Sequence, residues 1–560
     1  MLVSVYLDQF EQVHRIVHVP SFRREYAKFW GPGQTRTAAF TVLVLAILSI
    51  ASCQREHGTA KFEKMVSNFH SRALEWIKAC DEWHGRQSQK HRRLIHYQIA
   101  CLLYLSKRVN TVKKKRFWKE AGALVQDAVS VGLHRETSGM SDITPFNQEM
   151  RRRIWATMET FDLQASFDHG LPSLLSALHF DVNPPRNLDD AEFDEDTEEL
   201  PQSKAPNEYT YSSYQHLSRQ SLPLRSELSR VLTGPREELD YDQVIRYTNE
   251  INQEIDCLPS WEIDEGTDTE EHKKPLLAYT LLHIQLRQYI IPLHQSFLRL
   301  RKTNSKYQYS EIIYYNAARD MVLLNDKLVQ QGVRTLNFLR EDNLTLAINL
   351  CSVTMLQPRG STNMIMINSQ HTLQLLEKCL TMKEDRILRC GNNEPWGYSI
   401  MCAAVGLLEA HLDAKTPEAA KAGAAERFIN LHLKMLAHDP PPSSNPTEVP
   451  NVPNHQATPC PSNPSIAPPP LPSDIFVRSK VSNAEKQNAA LEKGGVANAA
   501  QSVTPFPSAS QGSAGMTSGL VEVPGTPWWL PNTGDPAITP VSSWHNPPPS
   551  TPGTLLLCDD

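Results

Sequence analysis

Four stretches of this sequence hold residue types at spacings that could do chemistry. The first is "DDAEFD" at Asp189–Asp194, inside a run with eight carboxylates between Asp189 and Glu199. Two aspartates followed by a third is a pattern with which helical diphosphate-transferring enzymes hold Mg²⁺, a hard ion that favours carboxylate oxygens. The run is bracketed by Pro184, Pro185 and Pro201, which places it on a loop rather than a helix wall. The partner motif of such enzymes has the form Asn-Asp-x-x-Ser-x-x-x-Glu. Asn325–Val333 starts correctly and then has neither the Ser nor the Glu. The expectation is a solvated acidic loop. The second stretch is "HRIVH". Four-residue spacing puts His14 and His18 on one helix face, as zinc ligands can be. Arg15 stands where a zinc hydrolase of the His-Glu-x-x-His type has its Glu, and helix packing before Pro20 is the expected use.

The third stretch is Arg151, Arg152 and Arg153. On a helix these fan over about 200°, so they cannot all face one phosphate strand. Arg152 and Arg153 lie three and four residues after Glu149, within reach of its carboxylate. Arg151 lies four before Trp155, a spacing suited to stacking. A charged outer face on a packed helix is expected. The fourth is Lys113, Lys114, Lys115 and Arg116, a basic run that import machinery can read or that can serve as a solvated turn. No Gly-x-Ser-x-Gly, phosphate-binding Gly-rich loop or Gly-x-Gly-x-x-Gly occurs.

Composition narrows the function classes. The 560 residues carry a net charge of −6, against the basic excess usual in a free-standing nucleic-acid binder. The 10 cysteines form no Cys-x-x-Cys pair and sit mostly in apolar helical patterns, which fits a reducing intracellular compartment. Thr37–Gln54 is uncharged for 18 residues, at the lower limit for a membrane span. Its Thr, Ser and Gln content suits a buried helix of a large core, and no membrane partner is expected.

The elements that must position these residues are helical as far as about His438. Phe117, Ala121, Leu124, Ala128 and Val131 share one face, closed by Gly132 at a C-cap position. Met150, Ile154, Met158, Phe161 and Ala165 share the next, with Thr144 and Pro145 as its N-cap and first helical residue. Later helices are expected at Pro275–Arg301, Glu311–Gln330, Asn343–Met355, Thr372–Leu388, Gly397–His411 and Pro417–Ala437. Pro292 should kink the first of them. Residues 440–560 hold 24 of the 40 prolines and read as a disordered tail.

The order of these motifs resembles the regulatory middle homology region of fungal binuclear zinc-cluster (Zn2Cys6) transcription factors. The matching positions are Trp118, Gly122, Ala123, Gly132, Leu133, His134, Arg135, Glu149, Arg151 to Arg153, Trp155, Asp162 and Ser166. Tyr6–Phe22 is similar to that region's opening, and "NPPRNLDDAEFDEDTEELP" to its acidic close. Where relatives often have Gly-Arg-Pro, this chain has Gly170, Leu171 and Pro172. The family's six-cysteine DNA reader is not found, so the chain reads as truncated or as a member that lost its reader.

The resemblance implies an all-α regulatory domain: 1–205 as the motif-bearing half, 206–438 as its remaining helical part, and 439–560 as the tail. It implies nuclear control of transcription without catalysis, with zinc entering only through the missing module and DNA touched only indirectly. Expected partners are transcription machinery or coactivators, other zinc-cluster factors in homo- or heterodimers, and a small-molecule effector. Trp528, Trp529, Leu530 and Trp544 are the expected activation residues of the tail. Two rivals are an all-α prenyl-diphosphate-type enzyme using 189–199 and a reader-less repressor that pairs with full-length relatives.

Overall fold

The computed structural model describes residues 2–438 apart from 32, 34–35, 53–68, 111–113, 141, 235–238, 262–274, 301–303, 334–342, 357–367 and 390–394. The tail, with Trp528, Trp529, Leu530 and Trp544, lies outside the described residues, as does Lys113.

Among the described residues every regular element is helical. The chain opens with α1 (Leu2–Val5), a π-helical turn (Tyr6–Phe10) and α2 (Glu11–His14). Then come α3 (Val19–Phe29), α4 (Ala38–Ala51), α5 (Phe69–Gly85), α6 (Leu94–Asn110), α7 (Lys114–Ser130) and α8 (Pro145–His169). After a long irregular stretch follow α9 (Ser213–Gln220), α10 (Leu222–Thr233), α11 (Tyr241–Asp256) and α12 (Pro275–Leu300). The last are α13 (Gln308–Gln330), α14 (Asn343–Leu356), α15 (Ser369–Arg389), α16 (Pro395–His411) and α17 (Pro417–His438). The six later helices expected from periodicity all occur within three residues of their expected bounds, and α12 runs on through Pro292.

Sequential helices pack on one another: α4 against α5 and α6, α6 against α7, α7 against α8, α12 against α13, and α16 against α17. The short helices α9 and α10 touch both α8 and α12. One hydrophobic core therefore runs from Tyr6 to Leu431, across both 1–205 and 206–438. Helix α4 is the uncharged stretch of the sequence. Its 14 residues rise about 21 Å, short of a bilayer's ~30 Å, and among the described residues no helix is long and apolar enough to cross a membrane. It is capped by Thr37, whose hydroxyl accepts from the Phe40 N–H at 3.3 Å. Inside, the Ser49 and Ser106 hydroxyls pair at 2.5 Å, and the Asn110 amide donates to the Ser49 carbonyl at 2.9 Å.

Helix α8 is the central element. Thr144 caps it, accepting from the Asn147 N–H at 3.3 Å, Pro145 opens it, and Gly170 closes it at φ 61°. The sequence shows one apolar face, but the helix is buried nearly all round: Glu149, Arg152, Arg153, Thr157, Glu159, Asp162 and Gln164 are inside with the apolar residues. Buried polar groups of this number require partners, and those partners define the site.

Candidate functional site

The turn between α7 and α8 begins at Gly132. Its φ of 71° is a left-handed conformation that favours glycine. The Gly132 N–H donates to the Val129 carbonyl and the Leu133 N–H to the Ala128 carbonyl, both at 3.0 Å, which satisfies the end of α7. Leu133 is thereby turned into the core. His134 is half-buried 6.1 Å from the Trp155 ring, and its carbonyl accepts from the Asp181 N–H at 3.3 Å. Arg135 is exposed beside Asp181 at 3.7 Å. Lys114, Lys115 and Arg116 lie in the first turn of α7 rather than in a turn before it.

The arginine triplet does not form a charged outer face, so the sequence expectation is overturned. Arg151 is half-buried and donates to the Gly132 carbonyl at 2.9 Å instead of stacking on Trp155. Arg152 is buried. Its Nε and Nη2 grip both Glu136 oxygens at 3.1 and 2.8 Å, and Nη2 also reaches the Ser138 hydroxyl at 3.0 Å. Arg153 is fully buried, donating to Glu149 Oε1 at 3.2 Å and Asp190 Oδ1 at 2.6 Å, with its guanidinium 4.9 Å over the Phe193 ring. The Glu149 spacing rule holds for both Arg152 and Arg153. It did not show that the pairs are interior, because i, i+3 and i, i+4 pairing is the same on a solvated face.

The acidic run is, as expected, a loop with most of its carboxylates in solvent: it has one short helical turn at Asp190–Glu192, and Glu192, Asp194, Glu195, Asp196, Glu198 and Glu199 are exposed. The exception is Asp190. Asp190 is buried and accepts from Arg15, from Arg153 and from the Val19 N–H at 2.8 Å, while its carbonyl bonds His18 Nε2 at 2.8 Å. Burial opposes ionisation of Asp190, but the Arg15 and Arg153 guanidiniums outweigh it and hold the carboxyl well below the usual range. Asp189 and Glu192 share Lys204, at 3.5 and 3.0 Å. These carboxylate charges are spent on cations of the chain itself, which leaves them unsuited to Mg²⁺. Among the described residues no cluster could hold a metal ion.

His14 and His18 do not share a helix face. Helix α2 ends at His14, and Arg15 takes a left-handed φ of 44°, which swings the chain so that His18 caps α3. Burial lowers the His14 pKa to about 3. Arg15, visible in the sequence only as the residue that spoils a zinc pattern, is buried against Asp190. Beneath it, Glu11 accepts from the Tyr6 hydroxyl at 2.7 Å and the Val17 N–H at 2.8 Å. Burial, only partly offset by Arg15 and these bonds, pushes Glu11 up to about 7. Gln215 of α9 closes the knot from the other half, donating to the Arg153 carbonyl at 2.8 Å and the Thr157 hydroxyl at 3.0 Å. Asp162 accepts from the Ser173 hydroxyl at 2.6 Å, and the Trp118 indole donates to the Pro172 carbonyl at 2.9 Å. Together these bonds fasten the segment after α8 back onto α8 and α7.

Glu11, Arg15, Glu136 and Gln215 were not singled out by sequence reasoning. Glu11 and Arg15 lie in the opening stretch Tyr6–Phe22, where alternation of His with apolar residues drew attention away from the charges. Glu136 directly follows the Gly-Leu-His-Arg tetrad. The assembled site holds cations and anions against one another among buried residues. These pairs tie the opening segment, α8 and the acidic run to one another.

Residues 3–312 match the family described as fungal specific transcription factor domain. Transcription factor opdR of Penicillium oxalicum is 31% identical over 53% of this chain and 38% of its own length. Transcription factor asR3 of Sarocladium schorii is 27% identical over 58% of this chain and 39% of its own. The equisetin cluster transcription factor eqxF of Fusarium heterosporum is 29% identical over 37% of this chain and 31% of its own. The chain thus spans about two fifths or less of the length of these curated relatives. No solved structure matches it. The matched segment contains the whole buried knot from Tyr6 to Gln215, and the chain belongs to the fungal specific transcription factor domain family.

Proposed function

We propose that this chain is the regulatory body of a nuclear transcription factor, controlling RNA polymerase II transcription while DNA is held by something other than its helical domain. The observation that supports this most directly is the burial of Arg152 and Arg153 on ion pairs. The one arginine cluster resembling a phosphate grip is committed to holding the domain together. The cluster named for the equisetin relative supports control of a gene cluster as the output. Coactivators or transcription machinery engage through Trp528, Trp529, Leu530 and Trp544, other zinc-cluster factors pair with the chain, and a small-molecule effector sets its state. Zinc belongs to the DNA-contacting module and not to this domain.

The test is a reporter assay in which the full chain is fused to a heterologous DNA-binding domain. Output should change relative to the DNA-binding domain alone, and replacing Trp528, Trp529 and Leu530 by Ala should reduce it. No change with the fusion overturns the regulatory reading. A second arm uses a gel shift. Purified chain that retards duplex DNA at physiological salt, and loses this in Arg152→Ala, overturns the indirect role. Replacing Lys113 to Arg116 by Ala should abolish nuclear accumulation of a fluorescent fusion.

A further inference from the structure

The last helix, α17, is apolar on two opposite faces. Its inner face is packed: Ala420 and Leu431 are buried, and Ala424, Phe428 and Met435 lie on the core beside them. Gly406 of α16 lets the two helices close, since a Cβ there would stand 3.0 Å from the Ala420 carbonyl. Arg427 donates to Glu409 of α16 at 3.2 Å, and Lys434 pairs with Glu384 of α15. The outer face carries Ala422, Ala425, Ile429, Leu433 and Leu436, all exposed. Ile429, Leu433 and Leu436 are each more than half open to solvent. A helix that is apolar all round is one buried all round, and here one side alone is covered.

The outer stripe has the period of a coiled-coil seam. Ala422, Ile429 and Leu436 recur every seven residues, as the a positions of a heptad do, and Ala425 lies at the intervening d. The second d is His432, a polar seam residue of the kind that fixes register at a cost in stability. Leu433 adds an apolar e position. The flanks are charged and complementary. Lys421 stands at g and Glu426 at the following e; both are exposed, and neither forms an ion pair among the described residues. In a parallel pair of helices each g meets the e of the other helix, so Lys421 of either copy meets Glu426 of the other. In an antiparallel pair g faces g and e faces e, and both contacts are lost.

We propose that this face is closed by the same face of a second copy of the chain, in a parallel two-stranded contact of α17 with α17. The proposal rests on the pairing reading above and gives it a surface. Charge complementarity selects a second copy, because one helix supplies both members of the Lys421 and Glu426 pair. The twofold axis runs along the seam, so each seam residue meets its own equivalent. Each α17 offers the face turned away from its own α16, which leaves the two helical bodies on opposite sides. The stripe withdraws roughly 400 Å² per copy from water, half of the ~800 Å² per partner of a standard interface. An area of that size gives weak association, with a Kd of about 10–100 µM. Two copies held side by side reach an effective concentration of about a millimolar, which is sufficient. Copies carried to neighbouring DNA sites by another module therefore pair, while dilute free copies stay apart.

Sedimentation of the full chain at concentrations spanning that Kd tests this, and should show a monomer–dimer equilibrium. Ile429→Glu should weaken it about tenfold or more while leaving the Tm within about 2 °C of the parent, since the side chain lies outside the core. Lys421→Glu sets like charges together and should weaken pairing about fivefold. Adding Glu426→Lys to it should restore pairing, a rescue that a defect of folding would not give. Under mild oxidation Ala422→Cys should form a disulfide-linked dimer above the parent's level, because equivalent a positions meet in a parallel pair and not in an antiparallel one. A dimer that persists in Ile429→Glu overturns this surface and leaves the pairing reading standing. A chain that stays monomeric, with Ile429→Cys open to a maleimide, overturns self-pairing; pairing with relatives is read separately, by co-purification. A monomer in which Ile429→Cys resists the maleimide shows that the chain covers the face itself, and overturns the second copy.

Discussion

Asp190→Asn is the sharpest perturbation of this structure. The substitution conserves shape and removes one negative charge. In the native knot that charge serves Arg15, which is 2% exposed, and Arg153, which is fully buried, and it accepts from the Val19 N–H at 2.8 Å. Afterwards Arg153 keeps Glu149 at 3.2 Å, while Arg15 loses its ion-pair partner. Half of the asparagine head group is an N–H₂ that presents hydrogens to two guanidiniums. Breaking a buried pair from one side costs about 3–5 kcal/mol, a large part of a whole domain's stability of roughly 5–15 kcal/mol. The neighbour provides an internal control. Asp189 meets Lys204 at 3.5 Å near the surface, and such a pair contributes about 0–1 kcal/mol. Thermal melting of both variants should therefore separate them: Asp190→Asn lowers the Tm by about 5–10 °C or fails to fold, whereas Asp189→Asn moves it by about 2 °C or less. A Tm for Asp190→Asn within about 2 °C of the parent would refute the reasoning, since it would mean that water screens the knot. Two aspartates of a Mg²⁺ site would instead behave alike, with both losing cation-dependent protection.

Other consequences can be checked in the same way. Gly132→Ala meets no atom within 4 Å, so its cost is the left-handed backbone alone. It should destabilise by about 1 kcal/mol in urea unfolding, and an unchanged midpoint would count against the left-handed turn. Trp155→Ala empties a fully buried position and should cost about 3–5 kcal/mol; a loss under about 1 kcal/mol would show that the site collapses freely. Stability should peak near pH 6. Burial raises Glu11 and Glu159 to about 7, so the stability they contribute is complete below their unfolded pKa and is lost as pH rises through 7. Burial lowers His14 to about 3 and His283 and His294 to about 4. Their contribution is complete above the unfolded histidine value and is lost as pH falls. A Tm that climbs steadily from pH 6.5 to 8 would refute the assignment for the glutamates, and Glu11→Gln should flatten the fall on that side.

Local chemistry determined much of this protein from sequence alone. Helix α8 starts at Thr144 and Pro145 and ends before Gly170 because capping and left-handed turns are properties of a few adjacent residues. The later helices were legible for the same reason: a 3.6-residue repeat needs no knowledge of what it packs against. The order of Gly132–Arg135, Glu149, Arg151–Arg153 and Trp155 also identified the family. What sequence could not decide was which side of a charge is inside. Arg153 pairs with Glu149 four residues away whether the helix face is wet or dry, and only Asp190, 37 residues on, and Arg15, from the opening segment, make it interior. Helix α8 read as amphipathic because its polar residues look solvated until the acidic segment and α9 are laid over them. Arg15 gives no local sign of its burial because its partner Asp190 is remote in the chain, while Glu11 bonds only within the opening segment, to Tyr6 and Val17. Burial of a charge is a property of the closed assembly, where the desolvation of each group is repaid by another brought from elsewhere, and no local pattern records it.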